Sequence, residues 1–266
     1  CGHRDGARAR GHQPPGKEAV EMAHGPDLSL SIARLTFGDT LLYKDFQLNV
    51  AGGEVVALIG PSGVGKTTLL RILAGVETGF DGQALVDGHP APLAPVPGLV
   101  FQDARLLPWL TCADNLRAVR PDVSDEVVAQ ALAATGLVDV QEKWPRQLSG
   151  GMRMRASLAR SLVMKPKVFL FDEPFGALDE ITRERSNDEL LRLFQHEGFA
   201  GLFITHSITE AVYMSTKVLV MSARPGKIIA EFDVPFAYPR NHDLRYEPEF
   251  GELCGKISHA LRGAHQ

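Results

Sequence analysis

The chain has 266 residues, of which 44% are hydrophobic, and its 28 basic and 32 acidic residues give a formal net charge of -4. This length and composition allow a substantial core in one large domain, or in a domain with a smaller subdomain. The balance is weakly acidic, and no cluster of lysine and arginine is present, so we expect no nucleic-acid partner. Three widely separated cysteines, Cys1, Cys112 and Cys254, predict neither a zinc site nor a disulfide framework.

The first part of the chain changes from a polar stretch to strands. Residues 1–26 are rich in Gly, Pro, Arg and His and contain almost no large apolar residues, so we expect them to be disordered. From Leu28 apolar and polar residues alternate, which predicts strands before and after a turn at Gly38-Asp39. Phe37 is placed in this turn. Such an aromatic residue belongs either to the core or edge of the sheet, or to a platform on which a nucleobase stacks.

A glycine-rich loop lies between a short apolar run at 55–59 and an apolar helical pattern. The loop has the form G-x-x-x-x-G-K-[ST] and reads Gly60-Pro61-Ser62-Gly63-Val64-Gly65-Lys66-Thr67, followed by Thr68. Its glycines allow backbone N–H groups to surround a polyphosphate, and the helix directs its positive end at the same anion. We expect Lys66 to reach the β- and γ-phosphates and the Thr67 hydroxyl to coordinate magnesium. The loop therefore predicts a nucleoside triphosphate site.

The middle of the chain is predicted to be mainly helical. Strands at 82–87 and 96–101 lead into a segment with a helical pattern that opens at Asp114 and a clear helix over 124–135. Ser124 suits the N-cap of the second helix, and Gly136 ends it. We interpret about 103–165 as a small helical subdomain inserted between strands.

A second helix start carries a serine and two glycines. It reads Leu148-Ser149-Gly150-Gly151-Met152 and precedes an apolar helical pattern. The ordinary interpretation is an N-cap with a tight turn. The same arrangement is also a second possible anion site, and sequence spacing does not decide between the two.

Polar side chains follow two further buried strands. Asp172 and Glu173 end the run 168–173, and His206 follows the run 201–205; a polar helix over 179–196 lies between them. Because the carboxyl ends of parallel strands open onto one crevice, these residues should converge on the nucleotide with Thr67. We expect Asp172 to hold magnesium directly or through water. Glu173 can orient or deprotonate the attacking water, and His206 can contact the γ-phosphate or that water, or else be a structural histidine.

The chain is predicted to end with two strands, 218–221 and 228–232, and a tail with a short amphipathic helix over 250–261. Five motifs follow the phosphate loop along the chain: Gln102, LSGGM at 148–152, FLFDEP at 169–174, Ala177-Leu178-Asp179 and His206. Taken in this order, the loop and these motifs resemble the ATPase subunit of an ATP-binding cassette (ABC) transporter. The resemblance implies an α/β P-loop NTPase fold with a RecA-like core, an antiparallel β subdomain and an inserted helical subdomain. It implies an ATPase domain over 27–235 and a tail over 236–266.

The resemblance also assigns roles to single residues. Two copies would hold two ATP molecules head to tail, with Lys66 and Thr67 of one copy facing Ser149 and Gly151 of the other. Phe37 falls where the family has its adenine-stacking aromatic, and Gln102 on the loop that senses the γ-phosphate, contacts the metal and touches the permease. Asp179 falls on the loop that joins the two sites. The implied catalytic residues are Glu173, His206 and Lys66, the magnesium ligands are Thr67, Gln102 and Asp172, and Gly150 completes the second anion site.

One departure from the family pattern is Met152, where glutamine is usual; methionine cannot make the hydrogen bonds of an amide.

The runs at 101–111, 175–179 and 205–211 resemble those of the nitrate, sulfonate and taurine importers. This implies a bacterial import ATPase that lies at the cytoplasmic face of the plasma membrane as a homodimer, docked on an integral permease and served indirectly by a substrate-binding protein. Alternatives are a soluble non-transport ATPase of the same family, an uptake system for a thiamine pyrimidine or riboflavin, another P-loop class and an exporter.

Overall fold

The structure is a computed structural model and describes residues 28–264, so the disorder predicted for residues 1–26 lies outside the described range. The strands are β1 Leu28–Phe37, β2 Thr40–Val50, β3 Val55–Ile59, β4 Asp81–Val86, β5 His89–Pro90, β6 Gly98–Phe101, β7 Val168–Asp172, β8 Ala200–Ile204, β9 Lys217–Met221 and β10 Ile228–Asp233. The α-helices are α1 Lys66–Leu73, α2 Cys112–Arg117, α3 Asp125–Ala134, α4 Gly150–Leu162, α5 Glu180–Glu197, α6 Ile208–Met214 and α7 Pro248–Gly263. Short 3₁₀ turns lie at Ala91–Leu93, Pro145–Gln147 and His242–Tyr246.

The first sheet is antiparallel, with strand order β2-β1-β4-β5. Strands β1 and β2 pair along their length, from Leu28 opposite Val50 to Phe37 opposite Thr40. Buried and exposed residues alternate at the start of β1, because one face of the sheet packs on the core and the other faces solvent. The sheet holds Phe37 at the end of β1, beside the crevice described below.

The second sheet has six strands in the order β10-β9-β3-β8-β7-β6, and all neighbouring pairs are parallel except β10 with β9. Every residue of β3 and β8 is buried, as expected for strands covered on both faces. Strand β8 lies between β3 and β7, and Ile204 is in register with both Leu58 and Asp172. The residues that follow these three strands are therefore brought to one edge of the sheet.

Three apolar clusters hold the elements together. One joins the antiparallel sheet, α1 and one face of the parallel sheet, and a second joins the opposite face to α4, α5, α6 and α7. The third consists of residues from α2, α3, α4 and the loops between them, and Leu106 and Met152 pack against it. Among the described residues, no helix has both the length and the apolar character needed to cross a membrane.

The sequence predicted most elements within a few residues. The helix predicted over 124–135 is α3, with Ser124 as its N-cap, and the amphipathic helix predicted over 250–261 is α7. Phe37 is the last residue of β1 rather than a turn residue. The short helix α6 and the two-residue strand β5 were not predicted, because each is too short to show a periodic pattern.

Candidate functional site

A cavity of about 470 Å³ opens at the carboxyl ends of β3, β7 and β8. Its lining includes Ser62, Gly63, Gly65, Lys66, Thr67 and Thr68 from the glycine-rich loop and the start of α1. Phe37, Asp172 and Glu173 line it from other elements, together with Thr40, Leu42, Ile204 and Arg224. Phe37 is 48% exposed, so its ring is accessible to a stacking partner and is not part of the core.

The loop takes a conformation that requires its glycines. Gly63 has φ of 74° and Gly65 has φ of 113°, a left-handed region that side chains with a Cβ avoid. A Cβ at Gly65 would lie 2.9 Å from the hydroxyl oxygen of Tyr43, and a Cβ at Gly60 would lie 2.8 Å from the Cβ of Met221. The close approach of the loop to β2 and β9 therefore excludes larger residues. Gly60 was predicted as a site residue but does not line the cavity; its carbonyl oxygen instead accepts a hydrogen bond from Lys66.

Lys66 is the first residue of α1 and is only 7% exposed. Its ammonium group donates hydrogen bonds to the carbonyl oxygens of Gly60 at 2.8 Å and Pro61 at 2.9 Å. An ammonium has three N–H donors, so one remains for a ligand in the cavity. Burial lowers the pKa of Lys66, while the nearby Glu173 and Asp172 carboxylates act in the opposite direction. A buried cation of this kind is stabilised by an anionic ligand.

Asp172 and Thr67 meet beside Lys66. Asp172 ends β7 and is partly buried; burial raises its pKa, while a hydrogen bond with the Thr67 side chain lowers it. A hydroxyl oxygen and a carboxylate that lie within hydrogen-bond reach of each other are oxygen ligands of the kind that Mg²⁺ accepts. The donor set of the cavity therefore fits a magnesium ion carried in with a polyphosphate.

Glu173 and His206 form a pair at the same edge. Glu173 Oε2 lies 3.1 Å from His206 Nδ1, and the backbone N–H of Glu173 donates to the carbonyl of Ile204 at 2.8 Å. Glu173 has φ of 49°, in the left-handed region that residues with a Cβ rarely adopt. Residues with such strained backbone conformations cluster at functional sites. This backbone turn sets the Glu173 carboxylate on the cavity, where it can reach a water molecule.

Gln102, Gly150 and the loop before α5 lie in a second cleft of about 380 Å³, which shares no lining residue with the first. The Gln102 amide and the Glu173 carboxylate both lie next to Gly176, since a Cβ there would be 3.3 Å from Gln102 Nε2 and 3.6 Å from Glu173 Oε2. Gln102 was predicted as a magnesium ligand, but within one copy it lines the second cleft and not the cavity that Thr67 and Asp172 line.

The second helix start is built as an N-cap. The Ser149 hydroxyl accepts a hydrogen bond from the backbone N–H of Met152 at 3.3 Å, and Ser149 and Gly150 are exposed. Gly151 is buried, and a Cβ there would lie 2.9 Å from Thr182 Cγ2. Gly151 is thus also needed for close packing of α4 on α5, a reason that the motif alone does not reveal.

Asp179 is the N-cap of α5, and its carboxylate accepts from the backbone N–H of Thr182 at 3.0 Å. Hydrogen bonding by Thr182 holds the pKa of Asp179 below its ordinary value. None of Ser149, Gly150, Gly151 and Asp179 lines the cavity of the phosphate loop. Within one copy of residues 28–264 the two helix starts therefore face different spaces.

Arg224 lines the cavity but was not predicted as a site residue. Its Nε donates to the carbonyl oxygen of Gly63 at 2.9 Å, and a second guanidinium nitrogen donates to the same oxygen. The two residues are 161 positions apart in the sequence. No local pattern around Arg224 indicates this contact, because it depends on the pairing of β9 with β3.

Comparisons with known proteins agree with this geometry. A family model described as ABC transporter matches residues 43–176. The aliphatic sulfonates import ATP-binding protein SsuB 2 of Burkholderia lata is 40% identical over 255 residues, which cover 94% of this chain and 91% of the relative. The aliphatic sulfonates import ATP-binding protein SsuB 1 of Pseudomonas aeruginosa is 42% identical over 247 residues, covering 90% and 98%.

Solved structures with the same fold include a dimeric post-hydrolysis state of the ATP-binding cassette MJ0796 bound to ADP and Pi. The match has a TM-score of 0.68 and 26% identity, and it covers 79% of this chain and 100% of that chain. A second is cbiO1 of Clostridium perfringens, part of an ABC transporter complex, with a TM-score of 0.71, 26% identity and coverage of 86% and 98%. The predicted P-loop NTPase fold is therefore confirmed. The chain belongs to the ABC transporter family, as a subunit that binds ATP and hydrolyses it.

Proposed function

We propose that the chain is the ATPase subunit of an importer for aliphatic sulfonates or chemically related small anions. The observation that carries the ATPase part is the meeting of Lys66, Thr67, Asp172 and Glu173 in one cavity next to His206. The substrate class is supported by the relatives from Burkholderia and Pseudomonas, which are named for import of aliphatic sulfonates. These names do not favour a non-transport ATPase or a vitamin-precursor system.

Each residue in the cavity has a distinct role in this proposal. The loop N–H groups and Lys66 bind the polyphosphate, and Phe37 stacks on the adenine. Thr67, Asp172 and Gln102 would hold Mg²⁺, and the ion would supply positive charge next to the phosphate oxygens. Glu173 orients the attacking water and accepts its proton, and His206 keeps that carboxylate in place and contacts the γ-phosphate.

The second helix start belongs to a second copy of the chain in this proposal. Ser149, Gly150 and Gly151 do not line the cavity within one copy, although a serine-capped helix start suits an anion. A head-to-tail homodimer would bring them to the ATP held by the other copy, and Asp179 would link the two sites. The dimeric assembly of the MJ0796 cassette supports this arrangement.

The remaining assignments follow from the same proposal. The dimer docks on an integral permease at the cytoplasmic face of the plasma membrane, and a substrate-binding protein delivers the anion to that permease. The ATPase domain covers 27–235 with a helical subdomain at about 103–165, and the tail covers 236–266. ATP favours the closed dimer over the open one, and this difference in affinity is what drives the permease.

Replacing Lys66 tests the ATPase proposal. Lys66→Ala removes the cation that contacts the phosphates, and we expect ATP turnover to fall at least about a hundredfold. Hydrolysis is measured as phosphate release by the purified chain, with Lys44→Ala on the exposed side of β2 as the control. Undiminished hydrolysis by Lys66→Ala would contradict the proposal. The substrate class is tested by growth of the source organism with an aliphatic sulfonate as the sulfur source. We expect the Lys66→Ala strain to lose growth on the sulfonate and to grow normally on sulfate.

A further inference from the structure

The loop that carries His206 is held by a buried carboxyl group. Glu210 lies in the first turn of α6, is only 5% exposed, and accepts a hydrogen bond from the Thr205 hydroxyl. The Thr205 oxygen in turn accepts the backbone N–H of Ser207 at 3.0 Å. The backbone N–H of Glu210 donates to the Ser207 hydroxyl at 3.3 Å. Glu210 thus fixes the residues on both sides of His206.

We propose that Glu210 is a positioning residue, whose buried carboxyl group sets the orientation of His206 through Thr205 and Ser207. The His206 ring is largely exposed, at 57% of its side chain, and contacts Glu173 at 3.1 Å. An exposed ring has several accessible rotamers, and a backbone held on both sides of His206 fixes the direction of its Cα–Cβ bond and hence which rotamer reaches Glu173. The inference rests on the proposed function, in which the contact of His206 with Glu173 supports hydrolysis.

The hydrogen bonding around Glu210 also indicates its protonation state. Within residues 28–264, Glu210 Oε1 and Asn187 Oδ1 are buried oxygen atoms that have no hydrogen-bond donor. The Asn187 side chain lies against the Glu210 carboxyl group. With the amide in this orientation, a proton on Glu210 Oε1 gives both oxygens a partner, whereas the flipped amide would donate to the carboxylate through Nδ2. Because the carboxyl group is buried, which disfavours its charged form, we assign the first arrangement, a neutral carboxylic acid at Glu210.

The charges that face this carboxyl group come from two elements. Burial is the main influence and raises the pKa of Glu210, while the hydrogen bonds of Thr205 and Asn187 and the charges of Arg183 of α5 and of His206 act in the opposite direction. Arg183 is itself engaged, because it donates to the carbonyls of Phe175 and Leu178. A neutral acid can therefore persist beside these cations, since the carboxyl group is removed from water.

The test uses the orientation of His206 as its readout, and this readout does not require activity. The full chain is labelled with ¹³C-histidine, and the His206 signal is identified by its loss in His206→Ala. We expect Glu210→Ala to shift or broaden this signal and to lower kcat about tenfold with KM for ATP within about twofold. Glu210→Gln, which mimics the neutral acid, should restore the signal and most of the turnover at neutral pH.

A matched control comes from α5. Glu189 is partly buried and pairs with Arg155 at 2.9 Å, and Glu189→Ala should destabilise the chain without moving the His206 signal. If Glu210→Ala fails to fold, Thr205→Val removes the linking hydroxyl at nearly constant volume and should move the signal in the same way. An unchanged His206 signal in Glu210→Ala or in Thr205→Val would overturn the inference, as would an equal shift in Glu189→Ala.

The remaining outcomes separate the two proposals. Low turnover of Glu210→Gln, equal to that of Glu210→Ala, would show that an ionised carboxylate is needed and would overturn the neutral-acid assignment. Full hydrolysis by His206→Ala would instead defeat the role given to His206 in the proposed function. In that case the NMR signal still decides whether Glu210 orients the ring.

Discussion

At the scale of single residues, Tyr43 places a hydroxyl group beneath the phosphate loop. Its side chain is fully buried, and within the described part of the chain the hydroxyl has no hydrogen-bond partner. An unsatisfied buried polar group costs about 1–3 kcal/mol. We therefore expect Tyr43→Phe to raise the free energy of unfolding by roughly 1 kcal/mol, measured by urea denaturation. Tyr246→Phe, at a residue 74% exposed, is the control and should change little. A loss of stability in Tyr43→Phe would contradict this account.

Tyr43, together with Tyr213, also makes the stability of the fold depend on pH. Burial raises the pKa of Tyr43 above its ordinary value, and burial with a hydrogen bond to Asp188 raises the pKa of Tyr213 to about 12. Unfolded tyrosines ionise near pH 10 while these two stay neutral in the fold. Their contribution to stability is therefore complete below about pH 10 and is lost as the pH rises through the folded values. Between about pH 9 and pH 11, urea denaturation should show a smaller fall in the free energy of unfolding for Tyr43→Phe than for the wild type.

At the scale of elements, one arginine joins the segment before α7 to the end of α6. The Arg240 side chain is buried, and its Nη1 donates to three carbonyl oxygens at 2.8–3.0 Å, those of Val212, Tyr213 and Ser215. Two further bonds go to the carbonyl of Phe236. A cation at the C-terminus of a helix is also favoured by the helix dipole. Arg240 therefore anchors the C-terminal segment on the core.

Replacing Arg240 measures the strength of this anchor. Arg240→Met keeps most of the side-chain volume but leaves these carbonyls without a donor, so we expect a loss of about 2–4 kcal/mol in the free energy of unfolding. Thermal or urea denaturation gives the value, and Arg192→Met on the exposed face of α5 is the control. Equal stability of the two variants would mean that water replaces the guanidinium at these carbonyls.

At the scale of the whole molecule, the two helix starts with anion-binding character face different spaces within one copy. The proposed homodimer would bring them together around ATP, and hydrolysis would separate them again. Glu173→Gln keeps the shape of the side chain but removes the base that accepts the proton of water. We expect this variant to bind ATP, to hydrolyse it at least about a hundredfold more slowly, and to elute as a dimer in size-exclusion chromatography with ATP and Mg²⁺.

A second substitution shows whether that dimer uses the predicted surfaces. Ser149→Arg in the Glu173→Gln background places a bulky side chain at the exposed start of α4, and we expect elution as a monomer. Elution of Glu173→Gln as a monomer at all ATP concentrations would contradict the head-to-tail arrangement. A dimer that persists in the double variant would place the contact elsewhere on the chain.

Much of the fold could be predicted because its signals are local. The buried runs of β3, β7 and β8 are continuous in the sequence, and α3 carries both of its end signals, Ser124 and Gly136. The short helix α6 could not be predicted in this way. Its seven residues are mostly buried by neighbouring elements, so they show no amphipathic period.

The residues of the candidate site also fall into two groups, those that local sequence signals predict and those that only packing brings to the site. Thr67, Asp172 and Glu173 could be assigned to one crevice from the sequence, because the carboxyl ends of neighbouring parallel strands must meet. Arg224 and Tyr43 could not, since their contacts with the loop depend on how β2 and β9 pack beside it. The packing role of Gly151 against α5 also becomes visible only in three dimensions.

The sequence by itself determined the chemistry of this protein. The glycine-rich loop and the carboxylates after β7 are short motifs whose residue types suit a phosphate ligand with its metal ion, and the serine-capped start of α4 is proposed to meet a second such ligand. Only the tertiary structure decided which of them share a space. It gathers Lys66, Thr67, Asp172 and Glu173 into one cavity and leaves Ser149 outside it, because side-chain proximity is set by strand order and helix packing and not by distance along the chain.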